Sequence, residues 1–148
     1  MTDTPRPRFH IAFPVHSLES ARRFYGELLG CAMGRQSEHW IDFNLMGHQI
    51  VAHLAPEECG EASRNAVDGK SVPVRHFGLI LEWDAFDELA ARLKRAGADF
   101  IVDPYVRFAG KPGEQKTLFV RDPSGNALEF KAFKDDTMVF ETDGRMFD

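Results

Sequence analysis

Three side chains in this sequence could hold a metal ion: His10, His76 and Glu129. The two histidines stand in matching surroundings, Phe9-His10-Ile11-Ala12-Phe13 and Arg75-His76-Phe77-Gly78-Leu79, each reading His, apolar, small, apolar. Side chains on an extended chain alternate between faces, so Phe9, Ile11 and Phe13 share one side and leave His10 with Ala12 on the other. Phe77, Leu79 and Leu81 oppose His76 and Gly78 in the same way. Glu129 lies between Leu128 and Phe130, an acid in an apolar run. Burial of an unpaired carboxylate costs several kcal/mol, so such an acid calls for a cation, a set of hydrogen bonds or a raised pKa. Two neutral imidazoles and one carboxylate around an open-sided site are the donor set of mononuclear non-haem Fe(II) enzymes. The same set suits Mn(II) and, with a fourth ligand, Zn(II) or Ni(II). Taken singly, each residue has a plainer reading, as a hydrogen-bonded strand histidine or an acid at a solvated edge. The equivalent places of the two histidines favour the metal.

The elements that position these residues read as one pattern used twice. Short apolar runs over residues 9–15 and 74–81 have the composition of buried strands, and each is followed by a helix. The first helix is expected over 18–29, with Ser17 as N-cap, apolar Leu18, Ala21, Phe24, Tyr25 and Leu28 at helical spacing, and Gly30 as a stop. The second is expected over 85–96, with Asp84 as cap, Phe86, Leu89, Ala90 and Leu93 on one face, and Gly97 at its end. Three more strands complete each half: 32–36, 40–45 and 48–54, then 100–102, 116–120 and 127–133. Asn44-Leu45-Met46-Gly47 and Asp122-Pro123-Ser124-Gly125-Asn126 supply turn residues before the last strand of each half. The expected class is α+β: two βαβββ modules, about 8–55 and 74–133, forming an open, curved, eight-stranded mixed sheet within one domain of 148 residues. Residues 56–72, poor in large apolar side chains, read as the linker, and 135–148 as an acidic tail whose Met138, Val139 and Phe140 could dock.

Composition bounds the setting. Cys31 and Cys59 are too widely spaced for a C-x-x-C pair and too few for a disulfide framework, which suits a reduced, cytoplasmic protein. No run approaches the roughly 20 apolar residues of a membrane span, and residues 1–8 are polar, so no membrane partner is expected. A net charge of −5 without a Lys/Arg cluster leaves no footprint for nucleic acid. A small-molecule substrate is the partner expected. Open sheet edges favour a homodimer that covers them.

The paired modules, a histidine on the first strand of each, and Asp122-Pro123-Ser124-Gly125-Asn126-Ala127-Leu128-Glu129-Phe130 together resemble the vicinal oxygen chelate superfamily. That superfamily includes glyoxalase I, type I extradiol dioxygenases, fosfomycin-resistance transferases and bleomycin-binding proteins. The likeness runs from about Phe9 to Ala132, and it implies the fold more firmly than any one chemistry. It makes Glu129 the last ligand. In glyoxalase I-like members the fourth strand of the first module supplies another ligand, usually Glu; aligning Gly47 with Gly125 puts Val51 there, with His53 two residues on along the same face and His48 on the other. In extradiol dioxygenases that region instead carries a second-sphere acid/base His, a role that His53 could fill. The plainer reading of His53 is a partly exposed strand residue. The extradiol signature has a Tyr ten residues before the final Glu and a His before that Tyr; here Phe119 stands at the first position and 107–116 contains no His.

The sequence is therefore read as a metal-dependent, extradiol-dioxygenase-like enzyme for a small substrate that chelates the metal through vicinal oxygens. His10, His76 and Glu129 are the ligands, His53 is the acid/base, and Fe(II) is favoured over Zn(II), Ni(II) or Mn(II). Trp40, Phe43 and Phe119 are candidates to line the substrate cavity, or else they are core; Arg75, Lys116 and Arg121 could receive an anionic group, or else they are solvated. One alternative is a glyoxalase-like lyase or isomerase with His53 as fourth ligand. The other is a metal-free protein that sequesters an antibiotic.

Overall fold

The computed structural model describes residues 6–146, and the chain divides into two compact units, Met1–Gly60 and Glu61–Asp148. The N-terminal unit opens with β1 (His10–Val15), followed by α1 (Leu18–Ala21), which runs on as a π-helix over Arg22–Leu28. Then come β2 (Ala32–Gln36), β3 (Trp40–Leu45) and β4 (His48–Leu54), in the sheet order β1-β4-β3-β2. β1 runs parallel to β4 and the other pairs are antiparallel. Ser17 caps α1 as expected, its hydroxyl accepting from the Ser20 N–H at 3.2 Å. Tyr25, on the π-helical turn, is fully buried, with its ring 5.1 Å from Phe13 and 5.5 Å from Phe43. That packing gives the sheet its helix-covered face. Met46 and Gly47 both have positive φ (49° and 94°), the requirement of the two-residue turn that joins twisted antiparallel strands.

The C-terminal unit holds β5 (Arg64–Val67), β6 (Lys70–Pro73), β7 (Phe77–Ile80), α2 (Trp83–Arg95), β8 (Asp99–Arg107), β9 (Gln115–Arg121) and β10 (Ala127–Phe133). Its main sheet has the order β7-β10-β9-β8, with β7 parallel to β10. α2 lies against β9 and β10 through buried Phe86, Ala90 and Leu93, over Leu118, Val120, Leu128 and Phe130. Each unit thus carries a βαβββ sequence of elements, in two four-stranded sheets.

Several boundaries differ from the expectations. Residues 56–72 are not a featureless linker: they contain a helical turn at Pro56–Glu58 and most of the β5–β6 hairpin, which belongs to the C-terminal unit. The strand expected over 74–81 is only β7, so His76 sits just before it. The strand expected at 100–102 extends over Asp99–Arg107. α2 begins at Trp83, with Asp84 in its first turn rather than at its cap. In the tail, Phe140 is 91% exposed and docks on nothing among the described residues. Cys31 is buried and Cys59 half-buried, and no described helix is long and apolar enough to cross a membrane.

Candidate metal centre

β10 places Glu129 by alternation. Leu128 and Phe130 turn to the helix side, so Glu129 and Lys131 turn to the other. The turn before β10 fixes this register: buried Asp122 accepts from the N–H groups of Ser124 (2.9 Å) and Asn126 (2.8 Å), and from the Asn126 side chain (2.8 Å). The Asp-Pro-Ser-Gly-Asn motif thus works as scaffold, and the acid it delivers is Glu129. Cross-strand, Glu129 lies between Phe119 of β9 and Gly78 of β7. A methyl group on Gly78 would sit 1.6 Å from the Glu129 carbonyl oxygen, so only glycine lets β7 come this close.

His76 and Glu129 meet, with Nε2 3.4 Å from Oε1. The Pro73 carbonyl lies 2.8 Å from His76 Nδ1. A carbonyl can only accept, so Nδ1 carries the proton, and in the neutral imidazole the Nε2 lone pair faces the acid. Thr117 Oγ1 donates to the other carboxylate oxygen, Oε2, at 2.6 Å. Phe119, 4% exposed, packs edge-on against the imidazole with centroids 5.0 Å apart. The hydrogen bond with Glu129 raises the His76 pKa against the opposing effect of burial. Burial pushes Glu129 upward, but hydrogen bonds from His76 and Thr117 outweigh it and hold the acid below its ordinary value.

His10 and His53 lie in the N-terminal unit. His10 is level with Gln49 on β4, whereas His53 is level with Pro14. Four residues separate those levels, about 13 Å along the strands. That corrects the role expected of His53 in the lyase alternative, because ligands of one ion must lie within a few ångströms of one another. Phe43 is also corrected: 1% exposed and packed on Tyr25, it faces the helix and belongs to the core. Trp40, half-buried and level with His53, carries the Arg35 guanidinium 5.6 Å from its ring. Among the cations, Lys116 is held by Asp87 (2.9 Å) and Arg121 by Asp99 (2.8 Å) and Glu61 (3.0 Å).

The residue that sequence reasoning missed on this sheet is Asp42, 7% exposed and directly across from Val51. It accepts from Gln49 at 3.4 Å and pairs with the exposed Arg35 at 3.6 Å. Its signal was available, since Asp42 lies between Ile41 and Phe43 as Glu129 lies between Leu128 and Phe130. Among the described residues, no group of three or more His, Cys, Asp or Glu side chains that could hold a metal ion is gathered.

Comparison with known proteins follows the same lines. A structure from Alicyclobacillus acidocaldarius, described as a glyoxalase/bleomycin resistance protein/dioxygenase, is 35% identical, with a TM-score of 0.75 over 95% of this chain and 100% of that one. The fosfomycin resistance protein FosX of Listeria monocytogenes shares the fold at 15% identity and a TM-score of 0.68, over 90% of this chain and 98% of its own. Lactoylglutathione lyase of Agrobacterium tumefaciens does so at 18% identity and 0.59, over 88% and 96%. No curated protein matches the chain. The profile of one family covers residues 9–130, and by that match the chain belongs to the Glyoxalase/Bleomycin resistance protein/Dioxygenase superfamily.

Proposed function

We propose that this protein is a metal-dependent enzyme in which His10, His76 and Glu129 hold one divalent ion, and that its substrate is a small molecule chelating that ion through vicinal oxygens. The observation that carries the reading is the His76–Glu129 pair. A separation of 3.4 Å is long for a charge-assisted hydrogen bond, which runs at about 2.7–2.9 Å. Two ligands of one ion stand about 3.0–3.4 Å apart when bonds of about 2.1 Å meet between the octahedral and the tetrahedral angle, a range whose upper end this pair meets. The outer contacts agree, because a ligating imidazole ordinarily gives its second N–H to a carbonyl and a ligating carboxylate is itself hydrogen-bonded. Pro73 and Thr117 supply those contacts.

A divalent ion there would polarise a bound oxygen and make its proton easier to remove. The chain's own residues do the rest. Pro73 and Phe119 orient the His76 ring, Thr117 fixes Glu129, and Phe119 excludes water from one side of the pair. Trp40 is proposed to border the substrate. His53 and the buried Asp42, which share the sheet face of His10, are the groups proposed to accept a substrate proton. Iron(II) is the favoured ion and ring-opening dioxygenation the favoured reaction, because the ligand set is two imidazoles and one carboxylate. The β1 and β7 edges make a homodimer part of the proposal. The test is anaerobic loading with Fe(II), metal analysis of the protein, and oxygen uptake with a panel of catechols. Retained iron with uptake on at least one catechol is expected; no uptake on any removes the dioxygenase, and no retained metal removes the centre itself.

A further inference from the structure

We propose that the β5–β6 hairpin is a latched arm that holds His76 in place to bind the ion, and that Asp68 is the positioning residue that closes the latch. The role of His76 as a ligand rests on the metal reading above; the hold of the hairpin on its ring rests on the contacts within the C-terminal unit.

His76 lies three residues after β6 and one before β7, so no strand ladder fixes its ring. Two contacts do, and both come through the hairpin. β6 ends at Pro73, whose carbonyl accepts from His76 Nδ1–H at 2.8 Å. Val72, just before it, packs on Phe119, whose ring meets the imidazole edge-on. Val74 then donates its N–H to Ser63 at 2.6 Å, which ties the segment leading to His76 to the base of the hairpin.

Whatever seats the hairpin therefore seats the ring. β5 and β6 pair with each other and with neither four-stranded sheet, and a two-stranded ribbon is marginally stable by itself. Val67 and Val72 are its apolar anchors. The polar hold is at the tip, where Asp68 accepts from Arg107 Nε at 2.5 Å and Nη2 at 3.5 Å, and from the Tyr105 hydroxyl at 3.0 Å. Lys70, two residues on, sets its ammonium 4.5 Å from the centre of the same Tyr105 ring. One carboxylate thus gathers a forked guanidinium and a phenol from β8, a geometry stronger than a simple surface ion pair. The φ of Asp68 is 51°, a conformation that Asn adopts as readily, so Asp68→Asn keeps the turn and removes the charge.

The test compares wild type, Asp68→Asn, Arg107→Met and the double variant, first without metal and then with zinc. Amide hydrogen exchange over residues 61–74 should quicken by roughly tenfold in each single variant, with β9 and β10 unchanged. The 15N shifts of the neutral His76 ring report its tautomer, and should move from Nδ1–H in wild type toward a mixture in the variants. Zinc should bind roughly tenfold more weakly in a competition titration with a chromophoric chelator. The double variant should lose no more than either single one, because both break the same contact. Exchange that stays as in wild type overturns the latch. Exchange that quickens while the His76 tautomer or the zinc affinity holds overturns the positioning of a ligand. Wild type that keeps no zinc loses the metal centre, and the tautomer shift then decides by itself whether the arm sets the His76 ring.

Discussion

Two hydroxyl groups test the chemistry at the scale of single residues. Thr117 holds one oxygen of Glu129 at 2.6 Å, and outer contacts of this kind are worth about 10–100-fold in metal affinity. Thr117→Val, which keeps the shape and removes the donor, should weaken zinc binding by about that factor in a competition titration with a chromophoric chelator. Unchanged affinity would show that the carboxylate needs no support. Tyr105 donates to Asp68 at 3.0 Å, beside the Arg107 guanidinium, which binds the same carboxylate. Burial first, then the bond to Asp68, pushes the phenol up from 10.0 to about 12. A group whose pKa is raised on folding contributes stability that is complete below the unfolded value and lost as pH climbs to the folded one. Wild type should therefore lose stability between pH 10 and about 12 beyond what Tyr105→Phe loses. Denaturant unfolding across that range reads the difference, and absorbance at 295 nm should show one late ionisation missing from the variant.

Among the elements, the closest constraint is where β7 meets β10. Gly78→Ala would force its methyl group into the Glu129 carbonyl, a backbone atom that cannot swing aside. A loss of more than about 3 kcal/mol is expected, read from denaturant midpoints, together with loss of zinc binding because His76 and Glu129 straddle that contact. β3, β4 and β10 were legible to the residue because apolar alternation and Asn, Gly and Pro turns bound them on both sides. Glu129 was legible for the same reason, as an acid interrupting an apolar run. The β5–β6 hairpin was not, since Arg64–Val67 and Lys70–Pro73 are short and mostly polar. Its one signal was Asp68-Gly69, both at positive φ (51° and 73°), the turn pair that a hairpin demands. Its fit to the sheet comes from tertiary packing of Val72 with Val102 and Phe119, which no local pattern announces. The fourth-ligand alternative for His53 failed because face alternation can be read from sequence, whereas the register of β4 against β1 cannot.

For the whole molecule, the proposed ligand set of His10, His76 and Glu129 ties metal binding to folding. Any ion that binds the folded chain and not the unfolded one adds its binding energy to folding, about 2.7 kcal/mol at a hundredfold excess over Kd. For a chain of 148 residues that corresponds to a rise in Tm of roughly 5–10 °C. Zinc should raise Tm by this amount in wild type, and excess chelator should reverse it. Glu129→Gln should abolish the rise, because the remaining imidazoles bring no negative charge to the ion. The decisive variant is His10→Ala, whose residue makes no ion pair among the described residues, so that its removal should leave the metal-free Tm nearly where it was. If His10 is a ligand, the zinc-dependent rise should fall by at least half in that variant. A full rise in His10→Ala would strike His10 from the ligand set and leave an ion held by His76 and Glu129 without it.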